Sequence, residues 1–225
     1  MSDRASRQAP RPSQLRADKR RAILDAAART FMRDGFGLAG VDRIVEESGV
    51  SKRTLYAHFP SKEALFGAII HEYCDVILTP LRQADLGDRD PRETLIALGR
   101  TFWDVLLSPE GLSLYRVVVA EAGRFPDLGR VFYESGHEPA ARLLTAYIQA
   151  QVDDGVFRDV DSRRAAEGFF GLVRGYVHER ALFHLTTEVD PDALEASLRF
   201  AADVFLHGLR RRDAEDHPSP HPAGT

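Results

Sequence analysis

The amino-acid sequence predicts an all-α protein of nine to ten helices, with an N-terminal three-helix head and a larger helical body. Three observations carry that prediction. Apolar residues recur three and four apart through most of the 225 residues. Proline, glycine and serine punctuate the chain at intervals suited to helices. No segment sustains the period-two alternation of β-branched residues expected of a half-buried strand.

Residues 1–15 are polar, carry Pro10 and Pro12, and read as a disordered arm. Over 17–34, Ile23, Ala27 and Phe31 stand four apart with Leu24 and Ala28 alongside, and Gly35 and Gly37 stop the helix. A short helix over 41–47 turns Val41, Ile44 and Val45 inward and ends at Ser48-Gly49. A second, over 52–58, takes Ser51 as its N-cap. Ser61 caps a helix from 62 to about 79, with Glu63 in the first turn, where the helix dipole favours a carboxylate. Pro91, Pro109 and Pro126 each open a helix, ending near 108, 122 and 132. Leu143, Leu144, Tyr147 and Ile148 mark another over 138–153. Asp161 or Ser162 starts one that runs to about 185, and Pro191 opens the last, to about Arg211. The tail, 213–225, holds Pro218, Pro220 and Pro222. His217 and His221 lie four apart there, but without a helix that spacing does not put them on one face. The organisation is thus arm 1–15, head 16–62, body 63–212 and tail 213–225.

Charge is divided along the same line. The formal net charge is −4, yet residues 1–62 hold 13 Lys and Arg against 7 Asp and Glu, while the remainder holds 17 against 27. A basic head on an acidic body points to the head as the part that meets a polyanion. Cys74 is the single cysteine, which excludes an intramolecular disulfide framework and a Cys-based zinc cluster. No apolar run approaches the roughly 18 residues of a membrane span, and the N-terminus lacks the apolar stretch of a secretory signal. The expectation is a cytoplasmic protein with no cofactor.

The most informative stretch is GFGLAGVDRIVEESGVSKRTLYAHFPSKEALF, residues 35–66. Two short helices separated by a Ser-Gly-Val turn have the form of a helix-turn-helix. Leu55 and Phe59 are four apart and pack inward with Ile44 and Val50, while Gly49 suits the sharp turn. Ser51, Lys52, Thr54, Tyr56 and His58 then project from the ends and outer face. Arg43 joins them because it faces away from Ile44 and Val45.

This segment resembles the DNA-binding domain of the TetR family of bacterial regulators. The resemblance rests on Phe31, Gly35, Ile44, Gly49, Val50, Ser51, Leu55, Tyr56, Phe59, Ser61, Lys62, Glu63 and Leu65 at their spacings over about 50 residues. Gly40 and Val41 stand where the family often carries hydroxyls, and Arg53 where it often carries glycine. The resemblance implies that Ser51, Thr54 and Tyr56 approach phosphates or base edges, and that Lys52 and Arg53 approach phosphates or guanines. It implies backbone contacts for His58 and Lys62. Phosphate contacts set register, and base contacts set sequence preference.

In the body, Gly168, Gly171 and Gly175 line one side of the penultimate helix. Each costs a soluble helix about 1 kcal/mol relative to alanine, so close packing of another helix is the expected reason. The final helix carries a stripe of Leu194, Leu198, Ala201, Ala202, Phe205 and Leu209. Packing within one chain and packing between two both satisfy these stripes; the resemblance implies that the two helices pair with their symmetry mates in a homodimer on a palindromic operator. Residues 114–139, and within them VVVAEAGRFPDLGRVFYESG, are similar to the C-terminal domain of AefR-like members, which implies a small-molecule pocket. Candidate lining residues are Phe102, Trp103, Tyr115, Val119, Leu144, Tyr147, Phe170 and Val177, with Glu121, Gln151, Arg174 and His178 as polar partners. The same aromatics also suit a simple core.

The resemblance favours a repressor released from double-stranded DNA by a small apolar or amphipathic effector. Two rival functions stand beside this one. Signs of an enzyme are lacking: Gly111-Leu112-Ser113-Leu114-Tyr115 misses a nucleophile-elbow pattern at its last position, and His178-Glu179 and His71-Glu72 are not followed by the second histidine of a zinc-protease motif. Glu134 and His137 form a lone E-x-x-H interrupted by Gly136, whereas a di-iron site needs two. The other rival is a helical protein-binding adaptor with a vestigial head, which steep salt dependence of duplex binding would exclude.

Overall fold

The computed structural model describes residues 12–83, 90–185 and 190–209. Among them are ten α-helices: α1 (Pro12–Leu38), α2 (Val41–Ser48), α3 (Lys52–His58), α4 (Lys62–Gln83), α5 (Pro91–Leu106), α6 (Pro109–Glu121), α7 (Pro126–Phe132), α8 (Glu138–Asp153), α9 (Ser162–Leu182) and α10 (Pro191–Leu209). A π turn, Tyr133–His137, joins α7 to α8. The all-α class is as expected. Residues 12–15, expected in the arm, form the first turn of α1, where backbone N–H groups have no intrahelical acceptor and proline is tolerated. The rest of the arm, Arg211 and the tail with His217 and His221 lie outside the described residues. No helix among the described residues is long and apolar enough to cross a membrane.

Local chemistry explains the boundaries. Gly35, at φ 75 and ψ 164, breaks α1 and leaves one further turn to Leu38. Gly49 closes α2 in the left-handed region, at φ 66 and ψ 15, and its N–H returns to the Val45 and Glu46 carbonyls. The Ser51 hydroxyl accepts from the Thr54 N–H, and Ser61 does the same for Ala64. Asp90, Ser108 and Asp161 cap α5, α6 and α9. Helix α9 is kinked at Gly175, φ 44 and ψ −160. That glycine therefore answers a backbone need, rather than only the close packing expected from its spacing.

The described residues fall into two compact units that do not follow the 62/63 boundary. The first joins the chain through Ile77 to residues 108–137, so α6 and α7 belong with the head. Its core contains Ile23, Phe31, Phe36, Ile44, Leu55, Phe59, Phe66, Leu114, Val118 and Leu128. Phe36 lies at its centre, with ring centroids 5.5 Å from Phe31, 5.2 Å from Phe66 and 4.9 Å from Phe125.

The second unit comprises residues 78–107 and those from 138 onward. Here α5, α8, α9 and α10 pack together. The Trp103 indole N–H donates to the Val173 carbonyl at 2.9 Å, two residues before the kink in α9. Gly99 admits the Leu198 side chain where a Cβ would collide with it. The stripe of α10 expected to face a partner is used inside the protomer. Leu198, Ala201, Ala202, Phe205 and Leu209 are buried within the protomer, and the Phe205 ring packs 5.1 Å from Phe169. Leu194 is half-buried.

Candidate nucleic-acid interface

Helix α3 is held by its inner face. Leu55, 1% exposed, and Phe59 lock into the head core with Ile44. Lys52, Arg53 and Tyr56 stand on the outer face, with Tyr56 44% exposed. Ser51 and Thr54 meet at 2.9 Å through their hydroxyls at the N-terminal end. The Lys52 ammonium donates to Asp42 at 2.8 Å, an exposed pair that raises the lysine pKa through that hydrogen bond and the carboxylate charge. Solvent screening makes such a pair weak, so a phosphate or guanine can displace it. Arg53 has no ion pair among the described residues. Arg43 is outside this group: its guanidinium lies 3.2 Å from Glu47 and 3.7 Å from Asp34, inside a network that also holds Arg33.

His58 sits at the other end of α3, half-buried. Burial pushes its pKa down, and the positive charges of Arg16, Arg20 and Lys19 on α1 push it further in the same direction. Arg20 lies 5.5 Å over the Phe59 ring and pairs with Glu72 at 2.6 Å.

Two expected site residues form something else together. The Lys62 ammonium, expected at the DNA backbone, donates to the Gly37 carbonyl at 3.2 Å and lies 4.8 Å from the Phe36 ring centre. Burial lowers its pKa, while Glu63 and Glu121 oppose the shift. Glu121, expected beside a ligand, accepts from the Gly37 N–H at 2.8 Å. Gly37, in the last turn of α1, is therefore gripped through both its backbone N–H and its carbonyl, by the end of α6 and the start of α4. Sequence spacing carries no trace of this latch, because its two members are 84 residues apart from Gly37 to Glu121. The sparse side chains at Gly35 and Gly37 are the one local sign. A Cβ at Gly37 would sit 3.2 Å from a Glu121 oxygen.

The expected ligand residues are divided between the two units. Tyr115, Val119 and Glu121 belong to the first unit, with Tyr115 edge-on to Phe132 and Val119 62% exposed. The remaining nine lie in the second unit. Trp103, Leu144, Tyr147, Gln151 and His178 are buried, whereas Phe102, Phe170, Arg174 and Val177 are half-buried. Phe102 and Phe170 pack at 5.0 Å. The Thr94 hydroxyl, 1% exposed and unremarked in the sequence, lies near that of Tyr147. Burial raises the tyrosine pKa and the threonine opposes the rise, yet neither hydroxyl completes a well-formed hydrogen bond.

Helices α9 and α10 leave apolar surface exposed. The glycine side of α9 is open: nothing would meet a Cβ at Gly168, Gly171 or Gly175 within 4 Å. Beside these glycines Leu172 is 46% and Tyr176 81% exposed, and on α10 Phe200 is 70% and Val204 44% exposed. Sequence reading took the other stripe of α10. The signal for this one was present, since Phe200 and Val204 are four apart on a helix that is apolar on two sides.

A head of this form, with a capped recognition helix, an apolar inner face and cations outward, defines a helix-turn-helix DNA-binding transcription regulator. Residues 23–69 match the model for bacterial regulatory proteins of the tetR family, and residues 93–208 match the AefR-like transcriptional repressor C-terminal domain. The chain belongs to the TetR family, a family of transcription regulators rather than enzymes. It is 31% identical over 221 residues to the HTH-type regulator YerO of Bacillus subtilis, a match covering 92% of this chain and 73% of that one. It is 37% identical over 97 residues to the transcriptional activator FasR of Mycolicibacterium smegmatis, covering 43% of this chain and 44% of the relative, so less than half of that protein is spanned. Among solved structures, the flavonoid-responsive regulator FrrA is 31% identical with a TM-score of 0.76, covering 88% of this chain and all of that one.

Proposed function

We propose that the protein acts as a homodimeric repressor of a palindromic operator, released when a small amphipathic effector enters the second unit. One observation supports the dimer: the glycine-lined, apolar face of α9 and α10, with Tyr176 and Phe200 exposed, has no cover among the described residues. A recognition helix of seven residues spans few base pairs, so useful affinity calls for two copies on paired half-sites. Ser51, Lys52, Arg53, Thr54 and Tyr56 are the residues assigned to the operator. The match to AefR-like repressors supports repression.

The effector side draws on the hydroxyls of Thr94 and Tyr147, buried in an apolar setting without good partners. A buried hydroxyl in that condition is suited to a ligand that brings its own donor or acceptor. The likeness to FrrA makes a flavonoid the first probe.

The test has two parts. Phe200→Arg should convert a dimer into a monomer in sedimentation, with loss of binding to a duplex selected by the parent from random sequence. A parent that sediments as a monomer on its selected duplex rejects the dimer. Naringenin should weaken operator binding, and operator should weaken naringenin binding by the same factor, as linkage demands; Tyr147→Phe should reduce both effects while sparing operator affinity. Equal naringenin affinity with and without operator rejects it as an effector.

A further inference from the structure

The first turns of α1 run beside α3 and leave a notch of about 670 Å³ lined by Ser13, Arg16, Ala17, Arg20, Ala57 and His58. Its polar groups are a hydroxyl, two guanidiniums and an imidazole, with no carboxylate among them. The neighbouring notch along α1 includes Asp18, and the groove behind includes Asp25, Glu72 and Glu110. Among the described concavities of this unit, the first alone is lined without a negative charge.

Its position gives that charge a use. An α-helix with its side chains is about 10–12 Å across and fills a major groove about 12 Å wide. Once α3 occupies the groove, whatever flanks α3 meets the phosphate rows on the groove walls. At the C-terminal end of α3, what flanks it is the α1 notch, beside Ala57 and His58. Arg20 is already held by Glu72 and Phe59, whereas Arg16 is exposed and makes no hydrogen bond or ion pair among the described residues.

We propose that this notch seats one phosphodiester of the operator backbone, with Arg16 as its principal ligand and His58 and Ser13 as neighbouring donors. The proposal rests on the reading of α3 as the major-groove helix. It extends the footprint of each head beyond the helix-turn-helix to the start of α1. The convergence of positive charge there is independently visible in His58, whose proton is disfavoured first by burial and then by Arg16, Arg20 and Lys19. A phosphate reverses that field. The contact sets register and affinity and carries no base preference.

The experiment uses the full chain and the duplex it selects from random sequence. Arg16→Ala should flatten the plot of log K against log salt by about 0.9 for each head engaged. That amounts to about a fivefold loss per head at 0.15 M salt relative to a 1 M reference. Base-substituted duplexes should keep their rank order. A scan of single methylphosphonate substitutions should then find one phosphate per half-site whose neutralisation weakens the parent but not Arg16→Ala. The α3 reading is checked separately through Arg53→Ala, which should lose operator affinity. If Arg53→Ala does so while Arg16→Ala keeps the parent's salt slope and an additive phosphate scan, the phosphate seat alone is overturned. An Arg53→Ala protein that holds the selected duplex as firmly as the parent overturns both.

Discussion

Removing the Glu121 carboxylate should loosen the operator-binding head although Glu121 lies outside the helix-turn-helix. The 2.8 Å bond from the Gly37 N–H is charge-assisted and part-buried, and bonds of that kind contribute about 1.5–3 kcal/mol net. Glu121→Ala therefore costs about that amount, with the Gly37 N–H left short of an acceptor. Glu121→Gln keeps an acceptor oxygen without the charge and should cost about 1 kcal/mol. Lys62→Met preserves packing on Phe36 but releases the Gly37 carbonyl. Because both side chains grip the backbone of one residue, Gly37, the double variant should depart from additivity by at least about 0.5 kcal/mol. Urea unfolding measures all three as midpoint shifts at constant slope, and amide exchange reports the Gly37 N–H directly. An alanine variant within about 0.5 kcal/mol of the parent, with Gly37 still protected, would refute the latch.

Three other outcomes are expected. Leu55→Ala should lower stability by about 2–5 kcal/mol as a buried large-to-small change, whereas Arg53→Ala should stay within about 0.5 kcal/mol and still lose operator binding; equal effects on unfolding would contradict the division of α3 into two faces. His58 has a folded pKa below its ordinary 6.5, through burial and then the charges of Arg16, Arg20 and Lys19. The unfolded chain thus takes up a proton that the folded head resists, so stability should fall as pH drops below about 6.5. His58→Gln should flatten that slope, and an unchanged pH profile would count against the shift. Burial pushes the Cys74 thiol up to about 12, so a disulfide reagent at pH 8 should react only on unfolding; rapid stoichiometric labelling of the folded protein would contradict it.

The elements legible in the sequence are those written in local chemistry. Gly35 and Gly49 end helices where their positive φ permits, Ser51 and Ser61 cap where predicted, and Pro91, Pro109, Pro126 and Pro191 open α5, α6, α7 and α10. The inward set Ile44, Leu55 and Phe59 followed from spacing alone. Lys62 and Glu121 mark where local chemistry stops being legible. A charged side chain at a helix end looks the same in sequence whether it meets solvent, DNA or a backbone amide 84 residues away. Periodicity says which way a side chain leaves its own helix and nothing about the destination.

Helix α10 shows the same limit in another form. A helix with one apolar stripe has one possible burial, but α10 carries two. Leu198, Ala202 and Phe205 lie on one side, and Phe200 and Val204 on the other. Hydrophobicity alone ranks the longer stripe first for any interface, yet the longer stripe is the one the protomer needs, since α5 and α9 already require cover and Gly99 leaves a place for Leu198. What remains for a second chain is the smaller stripe, next to the exposed glycines of α9. On the proposed dimer, the residues that join two copies are those the single-chain core cannot use. Phe200→Arg should therefore disturb assembly with little effect on the folding of the protomer, while Leu198→Arg should prevent folding first. Reversal of those two outcomes, read by sedimentation and urea unfolding of each variant, would favour the longer stripe as the interface.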